Sequence, residues 1–535
     1  MTARSIRGAA AATLAGALAL TAAACSNPGG TAAGSGGPKD SAVVGIAYEP
    51  ETLSPLLGYG KDGNSKIFDG LLAFDAEMTL RPALAAELPQ VSPDGLTYTY
   101  KLRKGVTFSD GKPFSAKDVV FTYRTVLDPK TNNPSKTELD ALKDVKAVGE
   151  DTVVFTLKYP YAPFAERTVL AIAPEHIAAK QDVNSGAFTT RPVGTGPYVL
   201  TDWSKGEKLS FKANPTYWGG APQVKKFTMA IIKDDDVRAT RLRAGDLDGA
   251  ILPPNLAAGF ENDKAKKTYA AKTYDYRTVT LPTHHKVTGD TAVRRALDIA
   301  VDRRAMVEKI LEGAGKPAYG PVPTDSAWFA KGTERRHDLA GARKILDEAG
   351  WKPGPDGIRV KNGVRAAFPL WYLSGDKLRQ DHALAYASDA KKAGIEIKTQ
   401  GGTWEVIEPR MKTDAVLAGG GSPGDPDFDQ YLLLKSSLGG DGFNNMAWYD
   451  NKAVDKALED GRRTNDTVKR RAAYDTVQRE LEQNPGYTFL THIDHLYVVN
   501  DSWDGLTTQT EPHDHGLASG PWWNVEAWIP KDAKK

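Results

Sequence analysis

A chain of 535 residues, 41% hydrophobic and 25% charged, has material for about three lobes with sizeable cores, which excludes a low-complexity or collagen-like polypeptide. Its 69 basic and 67 acidic residues leave a formal charge of +2, and a chain so close to neutral has no electrostatic footprint for nucleic acid. Beyond the amino-terminal stretch no apolar run approaches the ~18 residues of a membrane-crossing helix.

Residues 1–24 read as a secretory leader: Arg4 and Arg7, an apolar run over 9–20, then Ala22, Ala23 and Ala24 directly before Cys25. This resembles a bacterial lipoprotein signal, with alanine at 22 where leucine is commoner, and it implies that Cys25 carries a diacylglyceryl thioether. A lone cysteine is otherwise a small buried hydrophobe, but this one precedes a Gly/Ser/Ala/Thr/Pro stretch that offers no core. Consuming the sole thiol also explains export without a disulfide, and two lipid chains suffice for stable anchoring. Residues 25–41 then form a flexible tether, too poor in apolar area to order itself.

Strand and helix signals mix from residue 41 onward. Tyr98, Tyr100 and Leu102 alternate with polar residues over 97–103, the period of a half-buried strand, and Val153, Phe155 and Leu157 repeat it. Ser115 with Asp118 predicts a capping box opening a helix through Val119, Tyr123, Val126 and Leu127. Further helices are expected through Val293, Ala296, Leu297 and Ala300, and from Asp302 through Met306, Ile310 and Leu311, stopping near Gly313. Asp338 opens another that Gly350 ends, and Asp466 begins a long one with Val468, Ala472, Val477 and Leu481 on its apolar face. Asp94-Gly95 and Asp110-Gly111 read as turns, and Gly194 and Gly196 as positions of unusual dihedrals. Asp234, Asp235 and Asp236 read as the start of a helix. Trp218, Trp522 and Trp523 read as packing aromatics. No internal repeat is evident.

Several ordered blocks then resemble one family. They are Glu51-Thr-Leu-Ser-Pro55, Ile67-Phe-Asp-Gly-Leu-Leu72, Leu80-Arg-Pro-Ala-Leu-Ala85, Leu102-Arg-Lys-Gly-Val-Thr-Phe-Ser-Asp-Gly111 and Phe114-Ser-Ala-Lys-Asp-Val-Val120. Pro192-Val-Gly-Thr-Gly-Pro-Tyr198, Asn214-Pro-Thr-Tyr-Trp218, Arg243-Ala-Gly-Asp-Leu-Asp248, Val293-Arg-Arg-Ala-Leu297, Gly424-Asp-Pro-Asp427 and Gly442-Phe-Asn-Asn445 follow in order. Together they resemble the extracytoplasmic solute-binding proteins of peptide/nickel ABC importers. The resemblance implies an α/β clamshell of two main lobes plus an inserted one: 42–76, 196–290 and 496–535 as lobe I, 77–195 as lobe II, and 291–495 as lobe III. It implies capture of an oligopeptide or peptide-like solute, delivery to a membrane permease, no cofactor, and a monomer. A sugar oligomer or a metal complex is the alternative cargo on the same scaffold.

The resemblance also places the cleft. An extended ligand would pair with the strand 415–420, using main-chain groups near Ala418 and Gly420; a glycine-rich loop is the plainer reading of that stretch. Trp404, Trp371, Tyr372, Tyr59 and Gly60 would line the walls, with ordinary core packing as the competing reading. Arg410 and Arg379 suit a ligand carboxylate, although solvated helix-face charge is the simpler assignment. Peptide-binding members carry an aspartate just before the Asp-Pro step, where this chain has Ser422. A hydroxyl cannot neutralise a buried ammonium, so recognition of a free amino terminus is left open and a ligand with a blocked, modified or uncharged end gains ground; Asp425 or Asp427 could substitute, but a structural role is their usual one.

Three other readings are weaker. Gly420-Gly421-Ser422-Pro423-Gly424 satisfies G-x-S-x-G, but Pro423 has no N–H for an oxyanion hole, which argues against a hydrolase. His284-His285 point to opposite faces if in a strand, and His513-x-His515 lacks further ligands at metal spacing. Asp425, Asp427 and Asp429 lack the rest of a calcium loop. An adhesin or signalling lipoprotein is the third.

Overall fold

The computed structural model describes residues 40–534 except 64, 423 and 514–519, so the leader, Cys25 and most of the tether lie outside the described residues. Three sheets organise the chain. The first has seven strands in the order Lys266–Ala271, His495–Asn500, Gly249–Leu252, Ser41–Ile46, Lys226–Ile231, Lys208–Ala213 and Tyr198–Ser204. Ser41–Ile46 is parallel to both its neighbours, and its near-continuous apolar sequence suits a strand covered on both faces.

The second sheet holds Gln90–Val91, Thr97–Lys101, Thr152–Leu157 and Leu142–Ala147, with the predicted inward residues Tyr98, Tyr100, Val153 and Phe155 all buried. Tyr100 meets Phe155 edge-on at 5.5 Å, an arrangement worth about 0.5–1.5 kcal/mol beyond burial. The third sheet runs Gly315–Pro317, Tyr487–Ile493, Tyr276–Thr280, Ala415–Gly420, Ala367–Leu373 and Glu396–Gly402. Tyr276–Thr280 is thus bonded into the third sheet, although residues 196–290 were set down above as lobe I.

Local chemistry accounts for the helices. Ser115 and Asp118 close the capping box of Ala116–Leu127, and Asp234 accepts the Val237 N–H at 2.9 Å to start Asp235–Ala244. Asp302, Asp338 and Asp466 cap Arg303–Lys309, Leu339–Glu348 and Thr467–Gln483. Two expectations change. Val468 is 79% exposed and Ala472 is exposed as well, because the last of these helices buries Ala473 and Tyr474 together with the expected Val477 and Leu481. Gly194 and Gly196 keep ordinary dihedrals; glycine is required because a Cβ would lie 2.1 and 2.6 Å from the backbone of Ile67.

Packing divides the molecule in a way that bears on motion. Ala42, Val44, Phe227 and Met229 of the first sheet share one continuous apolar cluster with Tyr100 and Phe155 of the second and Tyr123 of the helix Ala116–Leu127. The third sheet packs separately, around Val279, Leu297, Leu370 and Leu417 on one side and Leu458, Val477 and Phe489 on the other. Strands of the first and third sheets follow one another only through short links, Ala271 to Tyr276 and Ile493 to His495. Two bodies with separate cores joined by two short crossings can rotate about them without unpacking either core.

Candidate functional site

The crossings carry a compact group of buried charges. Asp275 accepts from Arg277 Nη1 (2.5 Å) and His513 Nδ1 (2.7 Å), and from His495 Nε2 (3.1 Å). His495 Nδ1 donates to Glu511 Oε2 at 2.7 Å, and so does the Tyr497 hydroxyl at 3.0 Å. Burial alone would lower the His495 pKa, but its hydrogen bonds to Asp275 and Glu511 push it up to about 10. Burial likewise opposes ionisation of Asp275, yet the charges of Arg277 and His513 hold it well below the usual carboxylate range.

Beside this group lies the strand Ala415–Gly420. Its 417–420 stretch pairs with Tyr276–Thr280 on one side, whereas Ala367–Leu373 pairs with it only at Ala415 and Val416 on the other. Residues 417–420 therefore present a main-chain edge with no strand alongside. Gly420 is needed there because a Cβ would sit 2.4 Å from the Tyr276 hydroxyl, and Gly421, at φ +139°, because its Cβ would strike the Tyr274 carbonyl. Strand addition requires an edge of this kind.

The edge runs into a crevice lined by Lys61, Asp62, Phe74 and Met78, by Glu166, Arg167 and Val169, by Ser422 and Phe428, and by Gln509, Thr510 and Pro512. These come from five separate stretches of chain. Glu138 holds Lys61 (3.0 Å) and Arg167 (2.6 Å) together, and the Arg167 guanidinium lies over the Phe428 ring at 3.5 Å. Ser422 donates its N–H to Asp429 Oδ2 at 2.7 Å. Burial, and then the charge of Asp425, push Glu166 up to about 7, and burial does the same to Asp429.

The residues named from sequence fall in three groups. Ala418, Gly420 and Ser422 lie on the edge and crevice just described. Trp371 and Trp404 pack together on Ile407, Met411, Val416, Ala418 and Met446. Trp371 donates Nε1–H to Asp414 at 2.8 Å beneath the Arg410 guanidinium, while Trp404 meets the exposed Phe443 edge-on at 5.1 Å. Tyr372 packs on the third-sheet core, and Tyr59 on the core shared by the first two sheets, with Gly60 wedged against Ser65 and Ala171; the adjacent Lys61 and Asp62 face the crevice instead. Arg379 is not solvated: it is buried and paired with Asp376.

The carboxylates weighed as substitutes at the Asp-Pro step are both engaged. Arg470 grips Asp425 through two bonds of 2.7 and 2.6 Å. Asp427 accepts from Tyr161 (2.8 Å) and Tyr474 (3.2 Å) and pairs with Arg462 at 3.2 Å. His284 stacks edge-on against Trp448 and His285 against Phe368; Pro423 and His515 lie outside the described residues. Lys61, Glu166 and Arg167 are not marked by any sequence motif above, and Asp429 is weighed there only as part of a calcium loop. Their one local cue was a Glu-Arg pair abutting the apolar run Val169, Leu170, Ala171 and Ile172.

Comparison with known proteins places the chain in a family. The sequence profile of the bacterial extracellular solute-binding proteins, family 5 Middle, matches residues 79–442. Protein XP55 of Streptomyces lividans is 67% identical over 95% of this chain and 93% of its own. The oligopeptide-binding protein AppA of Bacillus subtilis is 30% identical over 90% and 91%. Among solved structures, NikZ of Campylobacter jejuni in complex with Ni(L-His) superposes with a TM-score of 0.86 at 31% identity, covering 92% of this chain and 99% of that one.

Proposed function

The chain belongs to the bacterial extracellular solute-binding proteins, family 5, and on that premise we propose that its cleft receives oligopeptides or peptide-like solutes for the membrane permease of an ABC importer. Binding of a solute outside the cytoplasm is the role of the family; the choice of cargo is the further step. The observation that carries it is the edge at 417–420, which no strand among the described residues pairs on its second side and whose end opens into a polar crevice. An extended main chain is the ligand that such an edge recognises regardless of side chain. A metal chelate is the second reading, supported by the superposition on NikZ, whose structure holds Ni(L-His).

Closure supplies the rest of the mechanism. The body of the first two sheets and the body of the third rotate about the two crossings, and the solute's contacts with both favour the shut form. No covalent step is involved. Cys25, lipidated at the head of the 25–41 tether, would keep the protein at the membrane surface, and the folded part is proposed to act as a monomer.

Native mass spectrometry of the membrane-extracted protein tests this. The expected spectrum shows a diacylglyceryl mass on a chain beginning at Cys25 and a non-covalent peptide released intact at higher collision energy. A released metal complex or oligosaccharide would replace the peptide assignment.

A further inference from the structure

We infer that the crevice lined by Glu166 and Ser422, with Asp429 bonded behind Ser422, is a receptor for a primary ammonium group of the solute, rebuilt in this chain from residues other than the aspartate that Ser422 replaces. The inference rests on the proposed cleft and names the chemical group that its inner end accepts.

Four observations support it. First, Ser422 is bonded to an acidic group, its N–H donating to Asp429 Oδ2 at 2.7 Å. Second, Glu166 reaches the same crevice from the other body, and its Oε2 is buried with no hydrogen-bond partner among the described residues. Unsatisfied buried carboxylate oxygens are costly and uncommon, and a donor from outside the chain would complete this one. Third, Gly424 makes room for it, since a Cβ at 424 would lie 2.4 Å from Oε2. Fourth, the charge balance is uneven. Lys61 and Arg167 are the cations facing the crevice, and both are already held by Glu138. Among the described residues no ion pair is made by Asp62, Glu166 or Asp429, although the charge of Arg167 reaches both Glu166 and Asp429. Asp425, also close to Glu166, is committed to Arg470.

This answers the question that Ser422 raises in favour of recognition of a free amine. Asp425 and Asp427 do not substitute, being tied to Arg470, Tyr161, Tyr474 and Arg462. Glu166 and Asp429 stand in their place. Because they lie on opposite bodies of the clamshell, an ammonium between them is bound fully only in the shut form, which ties recognition to closure. A peptide amino terminus and a free polyamine share this chemistry.

Burial keeps both carboxyls partly protonated near neutrality. An ammonium favours their ionised forms, so binding should expel protons and strengthen with rising pH. Ionising a carboxyl whose folded pKa is raised also costs stability. That cost is absent below the ordinary carboxylate pKa and grows as pH rises towards about 7, so Glu166→Gln should leave the unliganded protein at least as heat-stable as wild type at about pH 8.

The test incubates the full mature protein with an equimolar random tetrapeptide library, half free and half N-acetylated, and in parallel with spermidine. Retained ligands are quantified by mass spectrometry at about pH 6 and about pH 8. The expected result is enrichment of free over acetylated peptides by about tenfold or more at the higher pH, falling severalfold at the lower one and lost in Glu166→Gln and in Asp429→Asn. Equal retention of both forms would overturn the ammonium receptor and leave the peptide reading standing. Retention of spermidine alone, sensitive to Glu166→Gln, would uphold the receptor and overturn the peptide reading. Enrichment of free peptides that both substitutions leave unchanged would overturn the assignment to these residues.

Discussion

Asp275→Ala is expected to lower the unfolding free energy by about 3–5 kcal/mol, the penalty for breaking a buried ion pair from one side. Asp275 is 1% exposed and receives Arg277, His495 and His513 at once. Without it Arg277 stays buried with no carboxylate partner, and His495 keeps only Glu511. The loss falls on a crossing between the two bodies, where the Ile493 N–H also donates to the Asp275 carbonyl at 2.9 Å.

The same substitution should change the pH dependence of stability. The His495 pKa is raised to about 10, so its contribution is complete below the ordinary histidine value of about 6.5 and disappears as pH climbs to about 10. Asp275 has a lowered pKa, so its contribution holds above about pH 4 and fades on acidification. Thermal melts of the wild type should therefore decline on both flanks. In Asp275→Ala the alkaline decline should begin at lower pH and the acid decline should flatten. A melting profile parallel to wild type, with a loss under about 1 kcal/mol, would contradict the assignment.

The second large effect is expected at Asp427. Arg462, 1% exposed, has Asp427 as its carboxylate partner at 3.2 Å, and Tyr161 and Tyr474 both donate to the same side chain. Asp427→Ala should again cost about 3–5 kcal/mol, whereas Tyr161→Phe, removing one donor to a charged acceptor, should cost about 1.5–3 kcal/mol. Tyr161 belongs to the stretch packed with the second sheet, and Asp427 to the helix Asp427–Leu434 packed on the third. Tyr161→Phe should therefore also weaken solute affinity, because it removes a contact made on closure. Val468→Ala, on an exposed helix face, is the control and should stay within about 0.5 kcal/mol. Calorimetry with denaturant titration reads all three; equal losses at Tyr161 and Asp427 would show that Arg462 is not the group left stranded.

Much of the fold could be read locally. The caps at Ser115, Asp234, Asp302, Asp338 and Asp466 are short-range hydrogen bonds, and a few neighbouring residues encode them. Tyr98, Tyr100 and Phe155 alternate because one face of their sheet is buried. Val468 misled because the first turn of a helix can carry an apolar residue outside its buried stripe. Gly194 misled for a different reason: its constraint is the Ile67 carbonyl, more than a hundred residues earlier in the chain.

The site was legible only along its edge. Gly420 and Ser422 belong to one contiguous motif whose family counterpart could be matched. Glu166, Lys61 and Asp429 come together through tertiary packing, and apart from the Glu-Arg pair beside the apolar run at 169–172 their own neighbourhoods read as solvated surface charge. Trp371 and Trp404 were visible as aromatics, but sequence could not show that they pack on Met411, Met446 and each other's surroundings as well as facing outward.

Small-angle scattering of the solute-stripped protein, titrated with the solute recovered from it, tests the central claim most directly. Rotation of two separately packed bodies predicts a stepwise fall in radius of gyration that saturates at one solute per chain and reverses when the solute is removed. A radius unchanged at saturation would contradict it.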